Sequence, residues 1–110
     1  MTTSPFKITS AKYSIGDLVH HKLFDYRGVI VDVDPTFQST NEWYEIVARS
    51  RPPKDEPWYH VLVNDTSSST YVAEQNLEPD PSGKKIKHPM VEEFFTDLRD
   101  GRYINDEKMN

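Results

Sequence analysis

The chain contains no cysteine. That absence excludes a disulfide framework, thiolate zinc sites, cysteine nucleophiles and iron-sulfur ligation, and it agrees with a reducing compartment. Glycine is scarce, four in 110 residues, which leaves little material for a phosphate-cradling loop. Neither a Gly-x-Ser-x-Gly elbow nor a dinucleotide fingerprint occurs. No run approaches the roughly 18 apolar residues of a membrane span. Residues 1–10 lack the basic start and apolar stretch of a secretory leader, so a cytoplasmic protein that stays off the membrane is expected. Positive charge is also short: 13 Lys and Arg face 18 Asp and Glu, a net charge of −5. The deficit lies in residues 56–110, which hold six basic and eleven acidic side chains. This balance works against tight, sequence-independent nucleic-acid binding, which needs many phosphate contacts, while leaving local basic patches possible.

What is present suits one small, thinly cored domain: 35% of the residues are hydrophobic and 12% aromatic. A flexible lead-in over 1–11, with Phe6 and Ile8 as possible anchors, precedes a domain over 12–103 and a flexible tail over 104–110. Strand-like runs occupy 18–22, 28–34, 58–65 and 70–74, with a fifth around 76–78. In 28–34, Val29, Val31 and Val33 fall on one pleat face and Ile30, Asp32 and Asp34 on the other, until Pro35 ends the run. The run beginning at Trp58 carries large side chains on both faces, as a central strand does. Between these two runs lies an insertion with helical spacing of Trp43, Ile46 and Val47. Ser39 and Glu42 form its capping box, and the helix is expected over 41–49. A second helix is expected from Pro89, with Val91, Phe94, Phe95 and Leu98 on one stripe that ends before Gly101. The fold class is therefore mainly β. A small β-barrel is favoured because closure protects sheet edges, with one inserted short helix and a C-terminal helix.

No constellation points firmly to catalysis. His20 and His21 are adjacent on a strand and point to opposite faces, so they cannot easily chelate one ion. His60 reads as a hydrogen-bonded strand histidine and His88 as an exposed residue before a helix. Asp32 and Asp34 could form a catalytic or metal-binding pair, but a solvated strand end is the preferred reading. No cofactor and no metal are expected. Two basic clusters, Arg49, Arg51 and Lys54, and then Lys84, Lys85 and Lys87, are candidates for phosphate or partner contacts. Trp43, Tyr44, Trp58 and Tyr59 lie near the first, and stacking plus charge is how small barrels hold nucleic acids. Together with Phe94 and Phe95 they are equally candidates for core, an oligomer interface or a client surface.

Four stretches carry a resemblance: Tyr13-Ser14-Ile15-Gly16-Asp17-Leu18-Val19-His20-His21, Tyr26-Arg27-Gly28-Val29-Ile30-Val31-Asp32-Val33-Asp34-Pro35, Pro57-Trp58-Tyr59-His60-Val61-Leu62 and Tyr71-Val72-Ala73-Glu74-Gln75-Asn76-Leu77. In this order they resemble the HspQ (YccV-like) heat-shock family. The resemblance implies an SH3-like β-barrel, cytoplasmic, often a homotrimer, without enzymatic activity. It also implies a binding role in protein quality control, as a factor that enhances degradation by a Lon-type protease of its client proteins. The family's other assignment is binding of hemimethylated DNA.

Overall fold

The computed structural model describes residues 10–106 apart from residue 49; Phe6, Ile8 and Arg49 lie outside the described residues. The fold is mainly β. Strands β1 (Leu18–His21), β2 (Arg27–Asp34), β3 (Trp58–Val63), β4 (Ser69–Ala73) and β5 (Leu77–Pro79) form one antiparallel sheet in the order β4-β3-β2-β1-β5. The outermost strands, β4 and β5, are consecutive in sequence and joined by a single 3-10 turn, Glu74–Asn76. On a flat sheet they would lie about 19 Å apart, at about 4.8 Å per strand spacing. One tight turn rising about 2 Å per residue does not cover that distance, so the sheet curls strongly. Hydrogen bonding does not close it, since β4 and β5 share no ladder.

Curling gives the sheet a concave and a convex face, and both are packed. The concave core gathers Tyr13, Val19, Ile30, Tyr59, Val61, Val72 and Leu77, with Tyr26 and Val33 against it. Here the structure corrects the simple alternation expected for β2. A β-bulge between Ile30 and Asp32 shifts the register, so Ile30 faces Val61 while Val33 faces Tyr59. One extra residue reverses side-chain parity. Val33 therefore joins Ile30 in the concave core, whereas Val29 and Val31 pack on the convex side.

Two separate covers lie on the convex face. One comes from the insertion: helix α1 (Asn41–Val47) places Tyr44 and Ala48 on Trp58 and Ala73. Thr40, not Ser39, caps this helix, its Oγ1 accepting the Trp43 N–H at 3.1 Å. The helix ends at Val47, short of the expected 49. Its packed side also differs from the expected stripe, because Ile46 and Val47 are 73% and 49% exposed. The other cover comes from the C-terminal segment, where the expected long helix is replaced. A single turn, α2 (Val91–Phe94), leads into a hairpin of β6 (Asp97–Arg99) and β7 (Arg102–Ile104). Asp100 and Gly101 both take positive φ, 53° and 76°, the backbone of a two-residue hairpin turn for which Asp-Gly is the preferred pair. Val91, Phe94, Phe95 and Leu98 still share one apolar cluster, now with Tyr103, Leu18, Val29, Leu62 and Ile86.

Gly16 holds this hairpin to the sheet. Its N–H donates to the Ile30 carbonyl at 2.8 Å and its carbonyl accepts the Tyr103 N–H at 2.9 Å. A φ of 98° and the Tyr103 carbonyl oxygen, which an added Cβ would strike, leave no room for a side chain. Gly16→Ala is expected to cost about 1–3 kcal/mol through strain and overpacking. Thermal denaturation checks this: the melting temperature should fall by several degrees, and an unchanged value would contradict the docking of β7 on Gly16.

Candidate functional site

The insertion folds around Phe37. Its ring centroid lies 4.9 Å from Trp58, 5.5 Å from Tyr44, 5.9 Å from Tyr71 and 6.0 Å from Trp43. Prolines orient the polar tips of this cluster. The Trp58 Nε1–H donates to the Pro53 carbonyl at 3.0 Å and the Tyr44 hydroxyl to the Pro52 carbonyl at 2.7 Å. Between this cluster, β4 and the loop joining β1 to β2 lies a groove of about 420 Å³, lined in part by Phe24, Trp43, Val47, His60 and Tyr71. Leu23 and Phe24, 58% and 68% exposed, stand on one wall; Ile46 and Val47 lie at the opposite helix.

His21 builds the wall that carries Leu23 and Phe24. Its imidazole is buried, and Nδ1 accepts the backbone N–H groups of both residues at 3.1 Å. The Phe24 ring stacks on it at 4.7 Å. An acceptor at Nδ1 must be unprotonated, and burial pushes the His21 pKa below its ordinary value. His20, on the opposite face, has the reverse environment. Asp25 at 2.6 Å and Glu78 at 2.7 Å flank its two ring nitrogens and raise its pKa.

Along β4 the ladder phase is fixed at both ends, by the Val63 N–H on the Ser68 carbonyl and the Glu74 N–H on the Pro57 carbonyl. Thr70 and Val72 therefore turn their backbone groups toward β3, while Ser69, Tyr71 and Ala73 turn theirs outward. Among the described residues no strand pairs with that outer edge.

The basic candidates divide by environment. Arg51 donates to the Tyr44 carbonyl at 3.2 Å, pairs with Glu45 and lies 5.7 Å from the Tyr44 ring centroid. Lys54 donates to Asn41 Oδ1 and sits 4.3 Å over the Tyr44 ring. Both clasp α1. Lys84, Lys85 and Lys87 are exposed too, but on a segment away from α1 whose backbone is clamped. Arg27 donates to the Lys84 carbonyl, Tyr103 Oη accepts the Ile86 N–H, and Asn64 Oδ1 accepts the Lys87 N–H. Of the aromatic candidates, Tyr44, Trp58, Tyr59 and Phe95 are buried within the chain's own cores, so they underlie the surface instead of forming it. Trp43 and Phe94 remain partly exposed, and Trp43 lines the groove. Sequence reasoning missed Leu23, Phe24 and Tyr71 as surface and groove residues.

The convex face between the two covers is polar. The bulge sets Asp32 opposite His60 and Asp34 opposite Trp58. His60 Nε2 lies 3.2 Å from Asp34 Oδ2, and the Tyr71 hydroxyl donates to the same oxygen at 2.6 Å. Burial and the Asp34 carboxylate keep that hydroxyl protonated far above the usual tyrosine range.

These features define a small, mainly β domain with an apolar groove, a sheet edge that no strand pairs with among the described residues, and an exposed lysine segment. Residues 11–102 match the family model described as hemimethylated DNA-binding protein YccV-like. The chain belongs to the YccV-like family.

The two histidines titrate in opposite senses. Neutral His21 contributes stability above pH 6.5 that is lost as pH falls through its lowered folded pKa. Protonated His20 contributes below pH 6.5, and that contribution is lost as pH rises through its raised folded pKa. Histidine Cε1–H shifts followed by NMR should place the His21 midpoint below 6.5 and the His20 midpoint above it. A common midpoint would refute the assigned hydrogen bonds.

Proposed function

We propose that this chain is a non-catalytic binding module that docks an extended, apolar protein segment along the outer edge of β4. The supporting observation is the coincidence of outward backbone groups at Ser69 and Tyr71, the accessible part of that edge since Ala73 is buried beneath α1, with the groove lined by Phe24, Trp43 and Val47. Strand addition of this kind draws affinity from main-chain hydrogen bonds and selectivity from pockets that take alternate side chains. An unfolded client segment has that chemistry. The strand order, with one helical turn joining the outer strands, supports reading the domain as a small SH3-like barrel. In the setting that the family resemblance implies, the module acts as an adaptor for a Lon-type protease in the heat-shock response. A cytoplasmic homotrimer belongs to the same reading, and light scattering in solution tests the trimer.

Purified protein should accelerate degradation of a model substrate by the cognate Lon-type protease. Phe24→Asp together with Val47→Asp should remove most of that acceleration while leaving the far-UV circular dichroism unchanged, because both side chains are about half exposed or more. No acceleration by the unmodified chain, or full acceleration by the double variant, would count against the groove.

A second reading, hemimethylated DNA as ligand, is favoured by the clamped backbone that projects Lys84, Lys85 and Lys87 and by the description of the family. Fluorescence anisotropy on duplexes that differ only in methylation would test it. Replacing the three lysines by alanine should flatten the log–log salt dependence by up to about 3. An unchanged slope would remove this segment as the phosphate contact.

A further inference from the structure

The geometry points to a site for a divalent transition-metal ion, with zinc as the best fit, at Asp32, Asp34 and His60. One donor atom from each of these residues lies within 4.8 Å of the other two. Among the described residues, no other group of three His, Asp or Glu side chains converges in this way. His20 shows why proximity alone is insufficient: its two carboxylates approach opposite ring nitrogens and cannot share an ion with one of them.

Three features suit the site to an ion. The bulge at Val31 sets Asp32 across the sheet from His60, so ligands two residues apart on β2 meet one from β3. Bulges commonly re-aim side chains at functional sites. Next, the separation of 3.2 Å between His60 Nε2 and Asp34 Oδ2, a direct hydrogen bond, also matches the spacing of adjacent ligands about an ion with bonds of about 2.1 Å, so an ion could enter with little rearrangement. Last, Asp34 already has an orienting partner. The Tyr71 hydroxyl donates to it at 2.6 Å while accepting the Gln38 N–H at 3.0 Å. Outer hydrogen bonds of this kind orient ligands at metal centres.

The donor set selects the ion. Calcium takes about six to eight oxygen ligands, and magnesium keeps much of its water shell around one or two carboxylates, so neither makes use of the imidazole. One imidazole with two carboxylates suits a divalent first-row ion, and zinc fits best because it accepts three nitrogen and oxygen ligands in an open tetrahedral site. Three protein ligands leave a coordination position for water or for a group on a docked segment. His60 and Tyr71 also line the groove, which places the cluster at its margin.

Calorimetric titration of the full chain with zinc chloride is expected to show one saturable site per chain. His60→Gln or Asp34→Asn should weaken it by about tenfold or more, and Tyr71→Phe, a positioning residue, by about tenfold. His20→Gln should leave it unchanged. Cobalt(II) added to the unmodified chain should broaden the NMR signals of His60 and Tyr71 before those of His20 and His88. That readout decides the matter even where a variant fails to fold. No saturable binding, binding unaffected by both ligand substitutions, or broadening centred on His20 or His88 would overturn the proposal.

Discussion

The architecture depends on one constraint, the three-residue turn that joins the two outermost strands of the sheet. Because Glu74–Asn76 is too short to span a flat sheet, the strands must curl, and curling divides the side chains into an enclosed core and an outer face. The enclosed side needs large residues to fill it, which Tyr59, Ile30 and Val61 supply at zero exposure. The convex side of so small a sheet would leave Trp58, Leu62 and Val29 in water. Burying them requires separate covers, and the insertion and the C-terminal hairpin provide these. A polar strip at Asp32, Asp34 and His60 remains between the covers.

Magnitudes show what holds the insertion in place. Burial of an aromatic side chain removes about 150–250 Å² from water, or about 4–6 kcal/mol at the usual coefficient, as an upper estimate. A cation over an exposed ring contributes about 0.5–1 kcal/mol. Trp58 and Tyr44 therefore dominate, and Arg51 and Lys54 add a smaller clasp over the same rings. This reverses the sense in which basic residues near aromatics suggest a nucleic-acid platform. The positive charges here are turned toward their own helix. Arg51 and Lys54 are exposed yet engaged with that helix, whereas Lys84, Lys85 and Lys87 are exposed and have no aromatic neighbours in sequence.

The strands of the sheet were legible because β-branched runs bounded by Pro, Gly and Asp leave few alternatives. The parity of β2 was not, since a bulge has no signature in a run such as Val29-Ile30-Val31-Asp32-Val33; it emerges only when β3 supplies the register. For the same reason His60 and Asp34 could not be paired from sequence, being 26 positions apart. The C-terminal hairpin is a different case. Its signal, Asp100-Gly101 flanked by Leu98 and Tyr103, was present, but Val91, Phe94, Phe95 and Leu98 also fit a helical stripe. That same apolar set packs on Leu18 and Val29 either way, so burial alone could not arbitrate and turn chemistry did. Leu23 and Phe24 escaped notice because nothing in the sequence reveals that His21 anchors the loop from inside.

The two edges of the sheet are treated differently. At β5 the edge is blunted: Pro79 lacks an N–H, Glu78 adds charge, and the Tyr13 hydroxyl donates to the Leu77 carbonyl. These are the usual defences against unwanted strand pairing. In β4 the sequence Ser69-Thr70-Tyr71-Val72-Ala73 contains no proline and no charge, so it lacks the side-chain defences that keep an edge from pairing with another chain. A domain with so thin a core gains nothing in folding from an unprotected edge, and it incurs a risk of aggregation. Retaining it beside an apolar groove makes sense where pairing with an added strand is the function, and the asymmetry between β4 and β5 is the strongest physical support for a docking role on that side.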